Sequence, residues 1–227
     1  QVPVWEDNLV WLIRYDDAGH CAAVDGPEPG PILDYCQRHG LTLTTILNTH
    51  THGDHIGINR GLERLGRLAE MRVVGPAKVS DAVPGITERV SEGDTVVLGD
   101  VQGKVMLTEG HINGHISFVF EDLLFCGDTL FGAGCGYLFD GPPEAMYESL
   151  SRLGQLPGDT KVCCAHEYTE DNLRFAWSVE PGNTALAERI DRVWDVREAG
   201  ESSVPSTIGE EVATNPFLRQ HSKALRE

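Results

Sequence analysis

The sequence is poor in positive charge. Its 227 residues include 18 Lys and Arg against 35 Asp and Glu, a formal net charge of −17 with His neutral. Such a field repels a phosphate backbone and disfavours nucleic acid as a partner. No apolar run approaches the roughly 20 residues that span a bilayer, and no basic start precedes an apolar core as in a signal peptide. We therefore expect a cytoplasmic protein with no membrane partner.

Cysteine pairs at metal-binding or redox spacing are also missing. The six cysteines form no CxxC motif, which favours packing roles and a reducing compartment. Hydrophobic residues make up 41% of the chain, enough to bury a core. The length favours one main core with an appendage, and we expect a monomer.

Short apolar runs alternate with Gly, Asp and Pro up to about residue 165. Runs of three to six residues with such boundaries favour strands. The predicted strands are residues 9–13, 21–24, 44–47, 72–74, 95–98, 105–107, 116–120, 123–125 and 162–165. Helices are predicted between them at residues 31–39, 57–65 and 143–153. Strands interspersed with helices indicate an α/β protein.

The pattern changes after Tyr168. Strand signals stop, and helices are predicted at residues 171–179, at residues 185–197 and from Pro205 onwards, where Thr207 and Glu210 have the spacing of a capping box. We therefore expect a main domain at residues 1–168 and a helical subdomain at residues 169–227.

Three of the nine histidines fall in the segment Thr-His-Thr-His-Gly-Asp-His at residues 49–55, which follows a predicted strand. In extended backbone, residues two apart point to the same side, so His50 and His52 can reach one ion. Asp54 and His55 enter a turn and can point elsewhere. One loop can thus supply ligands to two adjacent metals.

Other candidate ligands also follow predicted strands, where α/β folds place their sites. They are His111, Asp128 and His166, and His115 competes with His111 on spacing alone. Asp128 has two carboxylate oxygens and can bridge two ions. Imidazole and carboxylate ligands without cysteine suit Zn²⁺, Fe²⁺ or Mn²⁺.

These residues resemble the metallo-β-lactamase superfamily, whose THxHxDH signature matches residues 49–55, and within it the glyoxalase II (hydroxyacylglutathione hydrolase) branch. The resemblance covers nearly the whole chain, including segments 127–131, 134–136, 166–169, 179–183, 204–207 and 215–219. It implies a four-layer αββα sandwich as the catalytic domain and a helical subdomain that binds substrate. It also implies that one metal is bound by His50, His52 and His111, a second by Asp54, His55 and His166, and that Asp128 bridges the two.

The resemblance implies hydrolysis of S-D-lactoylglutathione, or a related acylglutathione, to D-lactate and glutathione. Two divalent ions, with Zn²⁺ the first choice and Fe or Mn as alternatives, produce a bridging hydroxide that attacks the thioester carbonyl. Asp54 and Asp128 are the expected catalytic residues, Asp54 by ligating and by orienting the hydroxide. The leaving thiol has a pKa of about 8.5, so no separate protein acid is needed.

Substrate contacts are where the sequence departs from the family pattern. The resemblance implies that Tyr168 contacts the glutathione portion. Tyr137 stands where a basic residue usually follows Gly-Cys-Gly, and Phe139 stands in place of a frequent Tyr. Arg226 matches the arginine of a C-terminal Arg-x-x-Lys, whose Lys is absent. We expect a high KM for glutathione esters or a different thiol carrier.

Two other functions are open at this stage. A glutathione persulfide dioxygenase of the same superfamily uses one Fe²⁺ on three ligands, but the second set, His55 with His166, and the helical tail favour the hydrolase. A metal-binding protein without catalysis is the non-enzymatic alternative, which seven intact ligand positions disfavour.

Overall fold

The computed structural model describes residues 1–226. Residue 227, the last of the expected helical subdomain, lies outside them. The first half contains two helices and six strands: β1 (Val2–Val4), β2 (Asn8–Arg14), β3 (His20–Val24), α1 (Gly30–His39), β4 (Thr42–Leu47), α2 (Gly57–Arg64), β5 (Arg72–Pro76) and β6 (Glu88–Val90).

The second half contains the other eight strands and four helices. They are β7 (Thr95–Leu98), β8 (Val101–Leu107), β9 (Ile116–Phe120), β10 (Leu123–Gly127), β11 (Leu130–Phe131), β12 (Gly134–Cys135), α3 (Pro143–Leu153), β13 (Lys161–Cys164), α4 (Thr169–Val179), α5 (Thr184–Glu198), β14 (Ser206–Thr207) and α6 (Ile208–Thr214). Within residues 1–226, no helix combines the length and apolarity needed to cross a membrane.

Two six-stranded sheets form the centre of the molecule. The first has the order β1-β2-β3-β4-β5-β6, with parallel pairing from β3 to β6. The second has the order β14-β13-β10-β9-β8-β7 and is antiparallel except where β10 pairs with β13. The pair β11 and β12 forms a separate small hairpin.

Successive side chains of a strand point to opposite faces of its sheet, and this alternation explains how the two sheets stack. In β3, Ala22 and Val24 pack with Phe118 and Phe125 of the second sheet, whereas Cys21 and neighbouring residues of the opposite face pack against α1 and α2. The outer face of the second sheet packs against α3 through Met146, Leu150 and Leu153, the stripe predicted from the sequence. The layers are therefore helix, sheet, sheet and helix, and the predicted αββα fold is confirmed.

The helical region at the C-terminal end contributes one strand to this sandwich. The predicted helix from Pro205 onwards is wrong at its start, because residues 206–207 pair with β13 as β14. The helix α6 begins at Ile208, where Thr207 Oγ1 accepts a hydrogen bond from the amide of Glu210. The side chain of Glu210 pairs with Arg192 instead of completing the capping box. Two-residue strands have too little periodicity to be seen in a sequence.

Candidate metal centre

Four loops bring polar side chains to one edge of the sandwich. The loop after β4 contains His50, His52, Asp54 and His55, and the other loops follow β8, β10 and β13. The β10 and β13 strands are parallel, so Asp128 and His166 leave the second sheet side by side. The β4 loop is fastened to this sheet by the amide of Ile116, which donates to the carbonyl of Thr49 at 2.9 Å. The strand ends of both sheets therefore meet here.

A first group combines three histidines with Asp128. One ring nitrogen of each histidine and one carboxylate oxygen lie within 4.8 Å of one another. His52 Nδ1 is 3.1 Å from His50 Nε2 and 3.0 Å from His111 Nε2, and His111 Nε2 is 3.3 Å from Asp128 Oδ2. Two ligands about 2.05 Å from a tetrahedral ion are separated by about 3.3 Å. The spacing fits a divalent cation.

A second group consists of Asp54, His55 and His166, whose ligand atoms also lie within 4.8 Å of one another. Asp54 Oδ2 is 3.4 Å from the Nε2 atoms of both histidines. Asp128 Oδ1 is 3.4 Å from the same two nitrogens. Asp128 thus presents one oxygen to each group.

The oxygen Asp128 Oδ1 indicates that the cluster suits a cation. It is buried and has no hydrogen-bond partner among residues 1–226. A buried carboxylate oxygen is normally satisfied, so an unpartnered one facing two imidazole nitrogens fits a cation placed between them. The two groups together therefore suit a dinuclear metal site.

Asp25 orients histidines of both groups. His55 Nδ1 donates to Asp25 Oδ2 at 3.0 Å. His50 Nδ1 donates to the hydroxyl of Thr49 at 3.0 Å, and that hydroxyl donates to Asp25 Oδ2 at 2.7 Å. These contacts leave the Nε2 atoms of both rings free to ligate, which is how outer partners set histidine ligands.

His166, His111 and Asp54 have comparable partners. His166 Nδ1 donates to Asp7 at 2.8 Å, and His111 Nδ1 donates to the carbonyl of Tyr137 at 2.7 Å. Asn8 Nδ2 donates to Asp54 Oδ2 at 3.1 Å. Every contact fixes a side chain with its ligand atom facing the cluster.

His115, the competitor of His111, has both ring nitrogens engaged by the protein. Its Nε2 accepts the amide of Asp128 at 3.2 Å, and its Nδ1 lies 3.0 and 3.1 Å from the hydroxyls of Thr108 and Thr129. Burial lowers the pKa of His115 to about 3. The neutral ring stacks on His50 and supports the cluster instead of joining it.

The charges of the cluster are set by mutual contact. Burial and four neighbouring histidines hold the pKa of His50 well below its usual value, so its ring is neutral and able to ligate. Burial raises the pKa of the Asp128 carboxyl, but the surrounding histidines outweigh burial and lower it to about 2. His55 has the largest lowering effect. Burial also opposes the lowering of the pKa of Asp54, which the contacts of its carboxylate with His166 and His55 bring about. Both carboxylates are ionised at neutral pH.

Three exposed aromatic residues surround the cluster, and we call them the substrate face: Tyr137, Phe139 and Tyr168. The Tyr168 ring stacks on His166 with centroids 4.8 Å apart, and the Phe139 ring meets His52 and His111 edge-on. Tyr137 is 74% exposed and Tyr168 is 38% exposed. The structure therefore places two of the three predicted substrate-binding residues at the cluster.

Arg226, the third predicted substrate residue, lies away from this face. It lines a cavity of about 600 Å³ beside Phe175 and Phe217, and its Nε donates to the carbonyl of Gln220 at 2.7 Å. Tyr137 lines a neighbouring cavity of about 700 Å³, and the two cavities share Phe217 and Gln220 in their walls.

Sequence reasoning missed Asp7, Asn8 and Asp25. Asp25 had a usable signal, because it directly follows β3 as Asp128 follows β10. Asp7 ends the turn between β1 and β2 and Asn8 is the first residue of β2, and nothing in their local sequence distinguishes them from other polar residues beside turns. Only the pairing of this turn with the loop after β13, where the amide of Glu167 donates to the carbonyl of Asp7, brings them to the site.

Comparison with known proteins agrees with this geometry. Residues 17–166 match the family model described as the metallo-β-lactamase superfamily, and residues 167–227 match the one described as hydroxyacylglutathione hydrolase C-terminus. A hydroxyacylglutathione hydrolase of Methylococcus capsulatus is 47% identical over 228 residues, covering 100% of this chain and 88% of that protein.

Two solved structures are similar over most of the chain. ETHE1 from Myxococcus xanthus superposes with a TM-score of 0.70 at 25% identity, covering 96% of this chain and 83% of the other. TTHA1623, solved in a di-iron-bound form, gives a TM-score of 0.63 at 26% identity, covering 93% of this chain and 95% of the other. The chain belongs to the hydroxyacylglutathione hydrolase family of the metallo-β-lactamase superfamily.

Proposed function

We propose that this protein hydrolyses the thioester of S-D-lactoylglutathione, or of a related acylglutathione, to release D-lactate and glutathione. The observation that carries the proposal is the sharing of Asp128 between two histidine groups in a chain of the hydroxyacylglutathione hydrolase family. One cation would be held by His50, His52, His111 and Asp128, and the other by Asp54, His55, His166 and Asp128.

Two cations held in this way would activate water and polarise the thioester carbonyl. Zinc is the first choice because the ligands are imidazoles and carboxylates. Iron and manganese are accepted by the same donor types, and the related TTHA1623 has been solved with two irons. Metal content therefore belongs among the measurements that test the proposal.

Asp54 is the residue of the cluster best placed to act on water. Its side chain is 30% exposed, whereas that of Asp128 is 10% exposed. Asn8, His55 and His166 all contact its Oδ2, which fixes the orientation of the carboxylate. An ionised carboxylate at the opening of the cluster accepts a hydrogen bond from the attacking water and orients its lone pair toward the carbonyl carbon.

The 700 Å³ cavity beside Tyr137 has no cation in its walls. Among residues 1–226, none of those lining it is Lys or Arg. Glutathione has two carboxylates, so its binding here would depend on hydrogen bonds from groups such as the hydroxyl of Tyr168 and on apolar contact. This supports the expectation of a high KM or of a different thiol carrier.

The decisive assay is thioester hydrolysis by protein of measured metal content. The protein is stripped with a chelator, dialysed and reloaded with Zn²⁺, Fe²⁺ or Mn²⁺, and thiol release from S-D-lactoylglutathione is followed with a chromogenic thiol reagent. We expect two bound ions per chain and activity that is lost on stripping and restored on reloading. Size-exclusion chromatography of the same sample tests the predicted monomer.

Two outcomes would contradict the proposal. One bound iron per chain, together with oxygen uptake in the presence of glutathione persulfide, would identify the dioxygenase instead. Bound metal without hydrolysis of any thioester, including esters of coenzyme A and of simple thiols, would leave a metal-binding protein. Hydrolysis of other thioesters but not of the glutathione ester would support thioester hydrolysis as the reaction, and would show that the thiol carrier is not glutathione.

A further inference from the structure

The hairpin formed by β11 and β12 touches three of the proposed ligands. It begins two residues after Asp128, and the amide of Gly136, the residue that follows β12, donates to the carbonyl of Thr129 at 3.2 Å. The next carbonyl, that of Tyr137, accepts the hydrogen bond from His111. The Phe131 ring lies edge-on to His166 with centroids 5.9 Å apart. Movement of this hairpin would displace ligands of both groups.

Within the hairpin, the two strands pair over only two residues each, which is too little to define its position. Its backbone is instead held by side chains from the C-terminal helices. Asn172 of α4 donates to the carbonyl of Gly132 at 3.0 Å. The carboxylate of Glu211 of α6 accepts the amide of Ala133 at 2.8 Å. Asn215 donates to the carbonyls of Phe131 and Gly134, at 3.3 and 2.9 Å.

The hairpin approaches these helices too closely for side chains of its own. A Cβ atom at Gly134 would lie 2.5 Å from the side chain of Asn172, and one at Gly132 would lie 2.4 Å from the hydroxyl of Thr169. A Cβ atom at Gly136 would lie 1.9 Å from the carbonyl oxygen of Asp128. The hairpin is therefore pressed between α4 and the cluster.

Glu211 is itself fixed by a buried ion pair. Its side chain is fully buried, and its Oε1 is 2.6 Å from Arg189 of α5. Asn215 donates to its other oxygen at 3.1 Å. A buried carboxylate with a cation on one side and backbone and amide donors on the other has little freedom to move. It is a rigid support for the amide of Ala133.

We propose that Asn172, Glu211 and Asn215 are positioning residues, and that through the β11–β12 hairpin they set the affinity of the cluster for its cations. We name the three side chains the hairpin brace. This role, which rests on the metal centre of the proposed function, gives the helical subdomain a task besides binding substrate. Outer contacts of metal ligands change metal affinity by about 10- to 100-fold, and the brace acts on the backbone that provides such contacts.

The test compares brace variants with exposed neighbours on the C-terminal helices. Asn172→Ala removes a brace contact, and Glu211→Gln weakens the contacts of its carboxylate. Asp171→Ala on α4 and Glu188→Gln on α5 are the matched controls, since Asp171 is exposed and pairs with Arg174, and Glu188 is exposed. For each protein we would measure zinc affinity by chelator competition, the visible spectrum with Co²⁺, thermal unfolding, and amide exchange of residues 129–137 in the metal-free state.

We expect the brace variants to bind zinc at least about 10-fold more weakly, to show altered cobalt bands and to exchange amides of the hairpin faster, while the controls match the wild type. Lower thermal stability with wild-type zinc affinity and cobalt spectrum would overturn the proposal, because a purely structural role predicts that combination. If Glu211→Gln does not fold, Asn172→Ala, which loses a single hydrogen bond, decides the question.

Failure of the proposed function gives a different result. Wild-type protein would then bind no zinc or hydrolyse no thioester. In that case, amide exchange in the metal-free proteins still tests the brace. Unchanged exchange in both brace variants would overturn it.

Discussion

The histidine and aspartate cluster and the substrate face differ in how firmly they are built. Around the cluster, His50, His55, His111 and His166 each have one nitrogen held by a partner and the other facing a neighbouring ligand. On the substrate face, Tyr137 and Phe139 are 74% and 63% exposed, and their rings contact mainly each other and the histidines. The comparison indicates that the cluster is held by many hydrogen bonds, whereas the side chains proposed to contact substrate are exposed and have few partners.

Removing the shared carboxylate should have the largest effect. In Asp128→Ala both groups lose a ligand, so we expect at least one metal to be lost and kcat to fall by a factor on the order of 10³, the upper end for loss of one electrostatic stabiliser. Metal analysis and steady-state kinetics measure this. Asp122→Ala, in the exposed turn just before β10, is the control. Full metal content and rate in Asp128→Ala would contradict the site assignment.

A smaller effect, a loss of zinc affinity, is expected when Asp25 is changed, because its carboxylate orients histidines of both groups. Asp25→Asn preserves shape, but its single acceptor oxygen cannot replace both carboxylate oxygens, of which one accepts from the amide of Thr49 and the other from His55 and the hydroxyl of Thr49. Zinc affinity should fall by about 10- to 100-fold, with kcat recovering at saturating zinc. Asp17→Asn, on an exposed turn, is the matched control. Wild-type affinity in Asp25→Asn would show that the histidines hold their orientation without this carboxylate.

A substitution on the substrate face should change KM and leave kcat unchanged. Tyr168→Phe removes only the hydroxyl, and loss of one hydrogen bond of about 0.5–1.5 kcal/mol raises KM by about 2- to 10-fold. Kinetics on S-D-lactoylglutathione check this, with Tyr35→Phe on α1 as the control. An unchanged KM would mean that Tyr168 acts only as a ring stacked on His166.

The smallest predicted effect is a lower KM, produced by adding a positive charge. Tyr137→Lys places a cation beside the cluster, and an exposed ion pair with a glutathione carboxylate, worth up to about 1 kcal/mol, lowers KM by about fivefold. The gain should shrink as ionic strength rises. Leu65→Lys, exposed at the far end of α2, changes the net charge equally and should leave KM unchanged. A KM that stays the same in Tyr137→Lys would show that glutathione does not reach this position.

The larger elements were predictable because their patterns are long. The α3 helix was predicted at residues 143–153 and has those bounds, since its apolar residues at spacings of four and three form one stripe. The hairpin of β11 and β12 and the strand β14 were not predicted, because two-residue strands have no period. The domain boundary after residue 168, the monomeric state and the cytoplasmic location stay predictions.

Some residues of the candidate site were likewise predictable from the sequence, and others were not. The segment at residues 49–55 concentrates three histidines and a carboxylate, and such a density of ligands is visible in the sequence alone. His111 and His115 could not be separated by spacing. Their difference is a matter of hydrogen bonds, since both nitrogens of His115 are engaged by Thr108, Thr129 and the amide of Asp128.

By itself, the sequence determined the α/β pattern, the helices that follow it and the ligand types, because local periodicity and the chemistry of side chains are properties of the chain. The reaction class came from its resemblance to a known family. The tertiary structure decided which oxygen of Asp128 faces which histidines, that Asp7, Asn8 and Asp25 support the ligands, and that helices from the end of the chain hold the β11–β12 hairpin. These contacts join residues up to 159 positions apart, as between Asp7 and His166. Only the packing of two sheets and their helices brings such residues within hydrogen-bonding distance.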